Sequence, residues 1–196
     1  MKRYALFDFD GTITTKDTLF DFISFTYGKS GLIKCLLLNV WNLFLYATKL
    51  RSNEKAKEIL LSTMIKGTST TVFEEQCERY SVERVPQIIR ENTNKIIEKH
   101  RSAGDTLFIV SASPENWIHP WAMKNGFSEV IATKLEKKDG ILTGKFASRN
   151  CYGTEKVNRI KIFFTNRELV YISAYGDSSG DKHMLDYANY GVLIKR

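Results

Sequence analysis

Two carboxylates two residues apart, in Asp8-Phe9-Asp10-Gly11-Thr12, close a short apolar segment near the start of the chain. In an open α/β sheet, ligands bind in the crevice beyond the carboxyl ends of the strands, so acids at such an end are placed for chemistry. A pair there can divide the work: one acts as nucleophile or metal ligand while the other donates and accepts protons. The plain alternative is a solvated Asp-Gly turn that only ends the strand. A second acidic group, Gly176-Asp177-Ser178-Ser179-Gly180-Asp181, follows another strand-like run. If both strands end on one edge, four carboxylates meet there and repel one another unless a cation lies among them. Oxygen-only donors suit a hard ion, and Mg²⁺ is the common choice when a phosphate is also bound.

Two further features suit an anion. Ser111 closes a third apolar run and Ser113-Pro114 opens a helix, which directs a hydroxyl and unpaired backbone N–H groups at the crevice. Ser113 also has the type and position of a helix N-cap, with Pro114 at the first helical position. Lys156 falls in the first turn of a helical pattern, where a cation opposes the helix dipole and an anion would hold it; the ordinary alternative is an exposed lysine without function. A carboxylate nucleophile, a neighbouring acid/base, a hydroxyl and a lysine for phosphate oxygens, and carboxylates for Mg²⁺ make up the inventory for phosphoryl transfer through an aspartyl-phosphate.

The elements that must position these residues read as an α/β fold: a Rossmann-like parallel sheet with helices on both faces. Residues 3–8, 106–111, 129–132, 169–176 and 191–195 are short and rich in Val, Ile, Leu, Phe and Tyr. Helical patterns at 87–101, 114–125, 154–165 and 181–189 lie between them, which implies crossover units. About 70 residues, 16–85, break the alternation with helical patterns alone. They predict an inserted helical domain, leaving 1–15 and 86–196 as the catalytic core. Residues 137–146, with Asp139-Gly140 between two short runs, predict a small β-hairpin.

The chain has 196 residues, 43% of them hydrophobic and 26% charged, with three prolines, which excludes disorder as an overall description. Cys35, Cys77 and Cys151 are widely spaced and form neither a disulfide framework nor a zinc knuckle, so a reducing, cytoplasmic setting is expected. No signal peptide is recognised at the N-terminus. His100, His119 and His183 form no ligand pattern and are expected at the surface or in packing, and Trp117 and Trp121, at i and i+4, on a helix face that packs.

In order along the chain, Asp8-Phe9-Asp10-Gly11-Thr12, Val110-Ser111-Ala112-Ser113, Lys156 and Gly176-Asp177-Ser178-Ser179-Gly180-Asp181 resemble the four motifs of the haloacid dehalogenase superfamily, in the branch that includes phosphoserine phosphatases. The resemblance implies a Mg²⁺-dependent phosphatase with Asp8 as nucleophile and Asp10 as general acid/base. It implies that Ser111 and Lys156 hold the phosphoryl group, with Gly11, Thr12 and Ala112 at the phosphate. Mg²⁺ would be bound by Asp8, Asp177 and the backbone carbonyl of Asp10, with Asp181 supporting that shell. It also implies that 16–85 is a cap that selects substrate. Asp17 stands where phosphoserine phosphatases carry a substrate-sensing Glu, and Gly180 where they carry Asn. Both departures weaken phosphoserine as the substrate. The segments around Ser111 and Lys156 look more like a less characterised subgroup of the same branch, one that is similar to bacterial phosphatases acting on phosphatidylglycerophosphate, so a small or lipid-linked phosphate is expected, with phosphoserine as the alternative.

The net charge is +7, and residues 29–66 contain seven basic and two acidic residues, a local balance of +5. Residues 35–48 carry no formal charge; at 14 residues they fall short of the ~20 needed to span a bilayer. Leu32, Leu36, Val40, Leu43 and Ala47 fall near one face of a helix and Leu37, Leu38, Trp41, Phe44, Leu45 and Tyr46 fill much of the rest, broader than an ordinary amphipathic stripe. The expectation is a helix buried among cap helices. The alternative is contact with lipid, with the lysines near anionic headgroups and the protein held peripherally on the inner face of the membrane. A nucleic-acid binder, or a membrane-surface protein with a vestigial pocket, is the reading of another class. No nucleic-acid motif accompanies the charge, and nucleic acid is not expected as a partner.

Overall fold

In a computed structural model, residues 1–195 are described. The strands are β1 (Lys2–Phe7), β2 (Thr106–Pro114), β3 (Glu129–Thr133), β4 (Leu135–Lys138), β5 (Ile141–Phe146), β6 (Val170–Gly176) and β7 (Tyr190–Leu193). Five of them form one parallel sheet in the order β3-β2-β1-β6-β7, and β4 and β5 pair as a separate antiparallel hairpin. The α/β reading holds, with all five sheet strands where the apolar runs predict them. β1 is central, and its successive side chains feed opposite faces. Ala5 and Phe7 enter one hydrophobic cluster, while Leu6 enters the other with Val110, Ile172 and Ala174. Burial on both faces is why the strands read as continuous apolar runs rather than alternating ones.

Between β1 and β2 lie α1 (Thr18–Leu38), α2 (Val40–Ala47), α3 (Asn53–Ile65) and α4 (Thr70–Arg79), then two short turns and α5 (Glu91–Ser102). The sequence pattern starts this last helix at 87, but Ile89 pairs with Thr14 and the Arg90 N–H bonds the Ile13 carbonyl at 2.8 Å, which delays the helix. The helical segment is packed into the body of the protein: Phe22 of α1 stacks on Trp117 at 4.7 Å, and one hydrophobic cluster runs through both. Trp117 and Trp121 both pack, as expected. The hairpin turns through Asp139 and Gly140, both at positive φ, as a two-residue Asp-Gly loop requires. It lies against α3, where Gly144 approaches so closely that a Cβ would sit 2.5 Å from the Ser62 hydroxyl.

Residues 35–48 do not form one helix. Asn39 breaks the run, and α1 and α2 meet at a bend of 62°. Two buried amides fix that bend. Asn39 donates to the Cys35 carbonyl and the Thr63 hydroxyl, and Asn42 donates to the Ala56 carbonyl of α3. The expectation of a helix buried among cap helices is overturned: Leu32, Leu36 and Leu43 are half-buried, but Leu37, Leu38, Val40, Trp41 and Phe44 are all exposed. Among the described residues no single helix is long and apolar enough to cross a membrane.

Candidate active site

Because β2, β1 and β6 are neighbours, the residues that follow their carboxyl ends come side by side. The Asp8 N–H bonds the Tyr175 carbonyl at 2.9 Å, which fixes Asp8 as the first residue beyond β1. The chain then makes one wide turn over Phe9–Ile13, and Gly11, at φ 80°, supplies a conformation that a side chain would strain.

Lys156 is the centre of the site. It lies in the first turn of α7 (Thr154–Phe163), fully buried, with Nζ 2.6 Å from Asp8 Oδ1, 2.6 Å from Asp181 Oδ1 and 2.8 Å from the Val110 carbonyl. The expectation that an anion holds this lysine against the helix dipole is met by two carboxylates. They raise the Lys156 pKa although burial acts to lower it. Asp181 uses its other oxygen, Oδ2, to accept from the Asp177 and Ser178 N–H groups and the Ser178 hydroxyl. Burial works to raise the Asp181 pKa, but Lys156 and the Ser178 donors hold it below its ordinary value. Asp8 is less compensated: burial, with Asp181 and Asp10 nearby, pushes its carboxyl up to about 7 in spite of Lys156.

Asp10 faces a different set of partners. Its Oδ1 accepts from the Thr18 N–H at 2.8 Å and the Thr18 hydroxyl at 2.5 Å, and its Oδ2 from the Ser113 hydroxyl at 2.5 Å. Trp117 Nε1 in turn donates to the Thr18 hydroxyl. Ser113 therefore does not cap a helix. It lies inside β2, α6 (Glu115–Lys124) starts after Pro114, and the Ser113 hydroxyl serves Asp10. Ser111 is also fully buried, with its hydroxyl oxygen accepting from the Ser113 N–H, while Ala112 lines the crevice.

The crevice has a volume of about 260 Å³ and is lined by Asp8, Asp10, Asp17, Ala112, Lys156, Asp177 and Asp181 among others. Thr12 is buried, and its hydroxyl lies 3.3 Å from Asp8 Oδ2 and 3.4 Å from Asp177 Oδ1. Asp17 caps α1 by accepting from the Leu19 N–H, and burial and Asp10 raise its pKa while Lys57 opposes them. Lys57 is a residue that sequence reasoning missed. It reaches from α3 to the Ala112 carbonyl at 3.2 Å, yet in the sequence it is one of seven basic residues in its segment. Tyr46, Asn53, Tyr152 and Ser178 complete the lining. Of these, Tyr152 had a signal in Gly180: a Cβ there would sit 2.3 Å from the Tyr152 ring, so the glycine gives the tyrosine its space.

A divalent cation fits this donor set. Carboxylate oxygens of Asp8, Asp177 and Asp181 lie within 4.8 Å of one another and all donors are oxygen; burial, helped by Asp181 and Asp10, raises the Asp8 pKa, and a cation beside the carboxylate would oppose that shift. Both oxygens of Asp181 are engaged by protein donors, which suits a supporting position better than a ligating one.

The class defined by this sheet and crevice is that of α/β hydrolytic enzymes with an aspartate beyond the central strand. The haloacid dehalogenase-like hydrolase family matches residues 5–186, and the chain belongs to that family. Protein CicA of Caulobacter vibrioides is 30% identical over 190 residues, covering 93% of this chain and 82% of its own. A Bordetella pertussis protein of unknown function has a crystal structure that superposes with a TM-score of 0.82 at 22% identity, covering 96% of this chain and 87% of that one. A phosphoserine phosphatase solved as a phospho-aspartyl intermediate analogue superposes with a TM-score of 0.64 at 22% identity, covering 99% and 86%. The fold is thus that of the phosphoserine phosphatase-like branch, as the motifs imply.

Proposed function

We propose that this protein is a divalent-metal-dependent phosphomonoesterase that works through an aspartyl-phosphate on Asp8. The observation that carries this reading is the Lys156–Asp8 contact in a crevice that also holds Asp10 and Asp177. Asp8 attacks phosphorus in line and the bond to the leaving oxygen breaks, with Asp10 giving that oxygen a proton. Asp10 then takes a proton from water, which attacks the acyl phosphate, releases phosphate and restores Asp8. Of the two Asp10 oxygens, Oδ2 is the one suited to carry the proton. Its partner is a hydroxyl, which can turn to accept, whereas Oδ1 faces a backbone N–H that only donates. Lys156 holds Asp8 and lies ready for the transferring phosphoryl oxygens. Mg²⁺ held by Asp8, Asp177 and the Asp10 carbonyl would supply charge neutralisation when bound. The phosphatase names among its relatives, such as a probable phosphatase of Mycobacterium tuberculosis 25% identical to this chain, support the same reading.

For the substrate, we read a phosphate ester with an apolar portion, a lipid-linked phosphate such as phosphatidylglycerophosphate. An apolar cavity of about 140 Å³, lined by Leu19, Phe20, Leu43, Ala56 and Leu60, adjoins the crevice through the shared residues Asp17, Tyr46, Asn53 and Lys57. Phosphoserine is the second reading: although Asp17 is shorter than the Glu of phosphoserine phosphatases, it lines the crevice with Lys57, and the two offer opposite charges for an amino acid's ammonium and carboxylate. The helices of 16–85 act in both readings as the cap that chooses between them. Turnover of an aryl phosphate with Mg²⁺, with chelator, and in Asp8→Asn tests the chemistry. Activity surviving the substitution rules out the aspartyl-phosphate route. A panel of phosphatidylglycerophosphate, phosphoserine and sugar phosphates then tests the substrate.

A further inference from the structure

We infer that α2 and the end of α1 form a docking surface for an anionic lipid bilayer. Leu37, Leu38, Val40, Trp41, Phe44 and Leu50 are exposed within 14 consecutive residues; Trp41 is 68% exposed and stacks on Phe44 at 5.3 Å. Single exposed apolar residues are ordinary, but a contiguous group of this size marks a contact surface. Apart from Asn39, Asn42 and the Tyr46 hydroxyl, residues 35–47 are apolar all round, and a helix of that kind is normally buried on every side. Here Asn39 and Asn42 are buried and Leu36, Leu43 and Leu45 half-buried, while Leu37, Leu38, Val40, Trp41 and Phe44 stay exposed.

Charge decides what covers the outer side. Between Asp21 and Glu54 there is no acidic residue, while Lys29, Lys34, Lys49 and Arg51 all fall there. Lys29, Lys34 and Lys49 are exposed, and Lys34 lies one helical turn before Leu37 and Leu38. Apolar residues with lysines beside them are what an anionic membrane surface takes: side chains enter the headgroup boundary and ammonium groups meet lipid phosphates. A second copy of the chain fits poorly, because a symmetric contact would bring Lys29, Lys34 and Lys49 of both copies to one interface, with no acidic residue between Asp21 and Glu54 to pair them.

The helix lies on the membrane and does not cross it. Asn39 and Asn42 tie the bend to α3 through buried hydrogen bonds, so α1 and α2 cannot straighten into one span without leaving those amides unpaired. The arrangement also gives the proposed lipid-linked substrate a short route. Leu43 and Tyr46, on the same helix as Trp41 and Phe44, line the apolar cavity beside the crevice. That route rests on the proposed function, whereas the docking surface does not.

The test uses the full chain with vesicles of phosphatidylcholine alone or mixed with phosphatidylglycerol. Trp117 and Trp121 are buried, so an emission shift on binding reports Trp41. Wild type is expected to sediment with the anionic vesicles and shift its emission to the blue, with binding that weakens as salt rises. Trp41→Ser combined with Phe44→Ser, and separately Lys34→Glu combined with Lys49→Glu, should each weaken binding at least about tenfold. Aryl phosphate turnover in detergent-free buffer should stay at the wild-type level in both, which shows that they fold and keeps this test separate from that of the phosphatase reading. Absence of wild-type binding at low salt, equal binding by the variants, or a wild-type dimer that Trp41→Ser/Phe44→Ser converts to monomer would overturn the proposal.

Discussion

Lys156 Nζ lies 2.6 Å from Asp8 Oδ1, and both side chains are buried, at 2% and 9% exposure. The same ammonium binds Asp181 beyond β6 and the Val110 carbonyl in β2, so one cation joins the ends of three neighbouring strands. Burying charge is unfavourable unless it is paired, and this pairing accounts for why a lysine is tolerated in the first turn of α7.

Removing that ammonium should therefore damage stability as well as activity. Lys156→Met keeps the apolar stem but leaves two buried carboxylates without their cation, a loss of about 3–5 kcal/mol for a broken buried pair. For a chain of this size that is on the order of 10 °C in Tm by thermal unfolding. Adding Asp181→Asn should recover part of the loss, because the two sites share the interaction. Turnover should fall at least about a hundredfold in both variants. A Lys156→Met protein with unchanged Tm would show that the pair is not holding the strand ends together.

The Asp8 carboxyl gives a pH dependence with a definite sign. Its folded value without metal is about 7 against an ordinary 3.8, so the metal-free protein holds a proton there that the unfolded chain releases. This group's contribution to the stability of the metal-free protein thus falls as pH rises from about 4 to 7 and is level above that. Metal must displace the same proton. Mg²⁺ affinity should be level above pH 7 and weaken about tenfold per unit below it, with up to one proton released per ion. Calorimetry in two buffers of different ionisation enthalpy measures that proton, and identical heats at pH 6 would contradict the raised value.

Much of this site was legible because its chemistry sits at strand ends. Val, Ile and Phe runs locate the strands, parallel crossovers put their carboxyl ends on one edge, and Asp8, Asp177 and Lys156 then have to approach one another. What stayed hidden depends on contacts between segments far apart in sequence. Ser113 reads as a cap because Ser-Pro before a helix is a local signal, and its partner Asp10 lies 103 residues away. Lys57 has no local signal that separates it from other lysines. The exposure of Trp41 and Phe44 was missed for a related reason: hydrophobic periodicity tells which residues avoid water but not what covers them.

Asp10 should matter differently in the two halves of the reaction. An aryl phosphate has a leaving group that departs readily without a proton, so Asp10→Asn should still form the aspartyl-phosphate while losing the base that activates water. The expected result is a burst of about one aryl alcohol per enzyme followed by turnover reduced about 10²–10⁴-fold. Thr18→Val, which removes one hydroxyl from Asp10 Oδ1, should lower kcat about tenfold with little change in KM. A stopped-flow trace with no burst in Asp10→Asn would mean that Asp10 is needed for the first step as well.

Gly180 and Tyr152 offer a test of how the crevice recognises what lies beyond the phosphate. A side chain at 180 would meet the Tyr152 ring at 2.3 Å, and the ring atoms concerned belong to a side chain that is 40% exposed and has room to swing. Gly180→Asn should therefore leave Tm nearly unchanged while moving Tyr152 across the crevice lining. The expected effect is a rise in KM of about tenfold for the preferred substrate, with a smaller change for a compact aryl phosphate, since one displaced contact is worth about 1–3 kcal/mol. Adding Tyr152→Ala removes the clash, and the double variant should then match Tyr152→Ala alone. If Gly180→Asn instead loses activity equally on every substrate, the glycine serves the acidic loop from Gly176 to Asp181 and not the tyrosine beside it.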